Sequence, residues 1–116
     1  MKVTGLVWAG TRSDRFDEAV AFFRDVMGLP VDEEEKDFTS FGVGDDKLEI
    51  FGPGEQEHAF FTTGPVVGFG VDDVEGARAH LERAGTRFIG PIHGSGSYRW
   101  SHFHGPDGNV YEIAGP

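Results

Sequence analysis

The chain has no cysteine, so it can form no disulfide, hold no metal through thiolates and offer no thiol nucleophile. Basic residues are scarce as well: 10 Lys and Arg stand against 20 Asp and Glu, a formal charge of -10. Binding a phosphate backbone requires clustered Lys and Arg, so nucleic acid is excluded as an expected partner. Long apolar runs are missing too. Met1-Lys2-Val3-Thr4-Gly5-Leu6 passes directly into strand-like alternation, which predicts no export signal, no membrane association and a cytoplasmic protein. With 116 residues, a single domain is expected.

What is present is a repeated pattern. Val3 to Thr11 alternates as a strand. A helix follows, with Phe16, Ala19, Val20, Phe23, Val26 and Met27 at the spacing of a buried stripe, closed by Gly28. Val31–Glu35, Phe38–Val43 and Lys47–Phe51 then read as strands separated by turns. The same β-α-β-β-β order returns from Val66. A strand runs to Val71, Asp72 and Glu75 form a capping box, and a helix carries Val74, Ala77, Leu81 and Ala84. Strands are expected at Arg87–His93, at Tyr98–His104 and from about Asn109, with Gly94-Ser95-Gly96-Ser97 as a flexible link.

The expected architecture is therefore α+β, two βαβββ modules at about 1–52 and 66–116 joined by a connector at about 53–65. Neither module can bury its sheet alone, so curved sheets around a shared cavity are expected. Because strand side chains alternate, Trp100, His102 and His104 share one face, and after the Gly105-Pro106-Asp107-Gly108-Asn109 reversal Glu112 points the same way. Val66, Gly68 and Gly70 are read as facing the hollow with Glu49, Phe51 and Glu112, and by analogy so are Val7, Ala9 and Thr11. His58, His80 and His93 are read as surface residues, and an arginine such as Arg99 is a candidate partner for the strand carboxylates.

The stretch Phe16-Asp17-Glu18-Ala19-Val20-Ala21-Phe22-Phe23-Arg24-Asp25-Val26-Met27-Gly28-Leu29 resembles the first helix and Gly-Leu exit of the vicinal oxygen chelate superfamily of glyoxalases, bleomycin-resistance proteins and dioxygenases. Val71-Asp72-Asp73-Val74 and Phe103-His104-Gly105-Pro106-Asp107-Gly108-Asn109-Val110-Tyr111-Glu112-Ile113 extend the resemblance over nearly the whole chain, with Gly105 where the family commonly has aspartate. The resemblance implies a homodimer. In metal-dependent members it implies a divalent ion held by one residue from the first strand and one from the last strand of each module. Counting back from Asp14 and Asp73 puts the first-strand positions at Val7 and Val66, neither a donor, while Glu49 and Glu112 match the last-strand carboxylates.

The expectation is thus a protein with no metal or other cofactor, similar to the bleomycin-resistance members that confer antibiotic resistance by sequestration. It would bind a cationic or aromatic small molecule through Glu49, Phe51, Trp100, His102, His104 and Glu112. The alternative is a metal-dependent enzyme, a glyoxalase-like lyase, an isomerase or a dioxygenase, with the ion on Glu49, Glu112 and His102.

Overall fold

A computed structural model describes all 116 residues. The fold is mixed α+β: β1 (Val3–Arg12), α1 (Phe16–Ala21) running into a π-helical segment (Phe22–Val26), β2 (Val31–Glu35), β3 (Phe38–Val43) and β4 (Asp46–Phe51), then β5 (Val66–Val71), α2 (Val74–Arg83), β6 (Arg87–Ser95), β7 (Tyr98–His104) and β8 (Val110–Gly115). The predicted order appears twice. No helix is long and apolar enough to cross a membrane.

The chain divides into two compact units, Trp8–Pro65 and a second made of Met1–Val7 with Val66–Pro116. In the first, the strands lie in the order β2-β3-β4-β1, with β1 and β4 parallel and the others antiparallel. Its core forms where α1 meets the sheet. Val20, Phe41 and Ile50 are buried there, with Phe16, Ala19, Phe23, Leu29 and Leu48 packed around them. Phe41 and Ile50 are 0 % exposed, and each such burial contributes roughly 1.5–3 kcal/mol.

The stripe expected on α1 does not run its full length. Val26 is 74 % exposed and Met27 55 %. The cause is the π-helical segment, in which Met27 N–H donates to Phe22 O. Widening that turn rotates the following side chains off the buried face. Leu29 N–H then donates to Phe23 O, and Gly28 at φ 73 makes the left-handed exit.

In the second unit β5, β8, β7 and β6 are successive neighbours. Val71, Val74, Ala77 and Ile113 are buried between sheet and α2, with Leu81, Phe88, Ile92 and Phe103 against them. The cap of α2 is Asp73, one residue later than the expected Asp72: its carboxylate accepts from Gly76 N–H at 3.1 Å. Asp73→Ala is expected to remove about 1 kcal/mol and lower the melting temperature by roughly 4 °C, checked by calorimetry. The expected Gly-Ser link is also shorter than read, because β6 continues through Ser95.

Candidate functional site

In each unit, register places one carboxylate in a row of three residues. Glu49 on β4 lies beside Gly10 on β1 and Ser40 on β3. Glu112 on β8 lies beside Gly68 on β5 and His102 on β7. Matching Gly10 with Gly68 sets the frame between modules, and the residue equivalent to Val66 is then Trp8. The expectation that Val7 fills that place is off by one. α1 begins at Phe16 and not directly after Asp14, so the count back from the helix entry started too early.

The same shift corrects the facing of β1. Ala9 and Thr11 register with Leu48 and Ile50, the positions of β4 that pack toward α1, so they do not share the face of Glu49. Trp8, Gly10 and Arg12 do. Val7 belongs to the other unit, where its side chain lies close to Gly70.

Around Glu49 the groups are tightly arranged. Trp8 Nε1–H donates to Glu49 Oε1 at 2.8 Å, and the indole lies across Gly10. Burial raises the Glu49 pKa above its ordinary value, and the Trp8 bond and the charges of Lys47 and His58 oppose that shift. Phe51, on the same face, is 3 % exposed. It is covered by the His58 ring, stacked at 4.1 Å, and by Phe61 edge-on at 5.7 Å. Arg12 reaches the connector, its Nη2 donating to Pro53 O at 3.0 Å, and Glu55 Oε2 lies 2.8 Å from His58 Nδ1.

His58 is therefore not the surface residue read from the sequence. Its position three residues after Glu55 and just before Phe60-Phe61 was the available signal. Trp8 and Ser40 were also missed, Trp8 through the frame error. Arg99 pairs with Glu75 at 3.2 Å and leaves the strand carboxylates to Trp8 and His102.

In the second unit His102 and Glu112 are 2 % and 3 % exposed, with His102 Nε2 and Glu112 Oε2 2.9 Å apart. Burial pushes the imidazole down to about 4, so it is neutral at physiological pH. Val66, Val110 and Ala114 supply the buried apolar surroundings on the same strands. Trp100 continues the His102 face and meets His93, stacked at 5.9 Å. His104 sits exposed at the end of β7, opposite Val110 and Arg87.

The donor set bears on the metal that the family resemblance raised. The two first-strand places are held by Trp8, whose indole nitrogen only donates, and by Val66. No group of three or more His, Asp or Glu side chains converges. Most catalytic ions take at least three protein donors, and the side chains of neither unit fit one.

The chain thus repeats a β-α-β-β-β module in a mixed α+β fold, each copy with a carboxylate on its last strand. Residues 5–113 match the family model of the Glyoxalase/Bleomycin resistance protein/Dioxygenase superfamily, and the chain belongs to that superfamily. No curated protein matches the sequence. Among solved structures, methylmalonyl-CoA epimerase from Mycobacterium tuberculosis is similar, with TM-score 0.73 and 19 % identity over 97 % of this chain and 87 % of that one. A variant of the Streptomyces coelicolor methylmalonyl-CoA epimerase, in complex with 2-nitronate-propionyl-CoA, aligns at TM-score 0.72 and 19 % identity over 97 % of both chains. A superfamily member from Vibrio splendidus 12B01 aligns at 0.70 and 16 % identity, over 97 % of this chain and 98 % of that one. At these identities the structural likeness establishes the fold.

Proposed function

We propose that the protein binds a small cationic or hydrogen-bond-donating aromatic molecule without a metal, with Glu49 as its anchor. The observation that carries this reading is the state of Glu49. Its carboxylate is desolvated enough to raise its pKa, yet it is not fully buried and has one hydrogen bond, from Trp8. A ligand ammonium or N–H would offset the unfavourable burial of that charge. Phe51 belongs to the same proposed binding surface, with supporting roles for Trp8 and His58 that follow from their contacts with Glu49 and Phe51. In the other unit Trp100, His102, His104 and Glu112 are proposed as ligand-binding residues on their own sheet face. We also propose a cytoplasmic homodimer; the family resemblance supports the dimer, and sedimentation would measure it.

The experiment is a thermal-shift and calorimetric screen of aromatic amines and small oxo-acids, with and without added Zn, Mn or Ni. Amines are expected to raise the melting temperature in the absence of metal, and Glu49→Gln is expected to weaken their binding at least tenfold. Stoichiometric tight metal in protein purified without chelator would refute the metal-free reading.

A second reading draws on the raised pKa of Glu49, which moves a carboxylate toward the range useful for shuttling protons. Structural neighbours include epimerases acting on a CoA thioester. Exchange of solvent deuterium into methylmalonyl-CoA, lost in Glu49→Gln, would favour this reading.

A further inference from the structure

Ser40 stands directly across from Glu49 in the β3–β4 pair. The corresponding row in the other unit is His102, Glu112 and Gly68, and there the flanking residue lies 2.9 Å from the carboxylate. Ser40 does not make that contact in this conformation. It is 1 % exposed, and its hydroxyl has no hydrogen-bond partner in the chain. Hydroxyls buried this deeply are nearly always paired, because burying an unpaired one costs free energy.

The nearest polar group by register is the carboxylate that Trp8 holds. Directly opposed residues in an antiparallel pair have Cβ atoms roughly 4.5–5.5 Å apart. A turn of the Glu49 side chain between staggered rotamers can therefore carry its carboxylate from the indole to the hydroxyl.

We infer that Ser40 is a positioning residue that gives Glu49 a second seat, the carboxylate alternating between Trp8 Nε1–H and Ser40 Oγ–H. When Glu49 sits on Ser40, Trp8 can turn its N–H to a ligand oxygen while the carboxylate still faces a ligand donor. The site then suits ligands that carry an acceptor oxygen beside a cationic or N–H group. This ligand class rests on the reading of Glu49 as anchor. The two seats rest only on the geometry of β1, β3 and β4, and they can be tested without any ligand.

The experiment is a double-mutant cycle on the intact chain with Trp8→Phe and Ser40→Ala, read by calorimetry. The packing lost with the indole is the same in both backgrounds and cancels. Trp8→Phe is expected to lower the melting temperature by at least about 4 °C more in the Ser40→Ala background than in the wild type, because the carboxylate then has neither seat. NMR supplies a second readout. The Trp8 indole N–H is expected to exchange with solvent about 3–10-fold more slowly in Ser40→Ala, since only one seat remains, and Ser40→Thr is expected to restore the wild-type rate. Should Ser40→Ala fail to fold, the nearly isosteric Ser40→Cys, a weak donor, takes its place. Additive melting shifts, or an indole exchange rate equal in Ser40→Ala and wild type, overturn the inference. Such a result leaves the ligand screen above unaffected, and a silent screen with a coupled cycle refutes the ligand and retains the two seats.

Discussion

Acidification from pH 7 to pH 4 is expected to destabilise the wild-type protein through His102 by about 3 kcal/mol, lowering the melting temperature by roughly 12 °C. His102 is 2 % exposed, and burial depresses its folded pKa from 6.5 to about 4. Between those values the unfolded chain takes up a proton that the folded chain refuses. Stability therefore rises with pH across this window and is lost as pH falls through it. Glu112 lies 2.9 Å away, and desolvation by burial is what sets the direction of the shift. Other carboxylates also titrate in acid, so the diagnostic quantity is a difference. His102→Gln is expected to flatten the melting temperature between pH 6.5 and pH 4 relative to wild type. Parallel pH profiles for the two proteins would show that the imidazole is not held neutral by burial.

Gly10→Ala is expected to cost about 3 kcal/mol and to detach Trp8 from Glu49. A Cβ at position 10 would lie 2.1 Å from the indole ring, so the ring must move. The indole is 7 % exposed, packs edge-on to Phe61 at 6.0 Å and donates to Glu49 at 2.8 Å, so moving it disturbs both contacts. Tryptophan fluorescence is expected to shift to the red as Trp8 meets water, and the melting temperature to fall by roughly 12 °C. Gly5→Ala is the control, because a Cβ there meets nothing within 4 Å. Equal effects of the two substitutions would mean that contact with the indole is not what holds position 10 to glycine.

Much of this architecture is legible from residue order. Period-two alternation located the strands, and the three-and-four spacing of Val74, Ala77 and Leu81 located α2. Gly28 and the 105–109 reversal marked element ends because their backbone preferences are local. The shared face of His102 and Glu112 was also readable, since both sit on regular strands joined by a short turn. α1 was read less well: a π-helical turn is set by packing and by which carbonyl each N–H finds, and no spacing rule announces it.

The site divides along the same line. Composition and alternation by themselves determined that carboxylates, imidazoles and aromatics would lie on the sheet faces away from the helices, because side-chain parity is a property of the strand alone. Which of them meet was decided by register between strands and by the path of the connector, both of them long-range. Only the tertiary structure could put Trp8 in the place assigned to Val7, bring His58 over Phe51, and set Ser40 beside Glu49. One residue of register changes every neighbour, and no local preference encodes it.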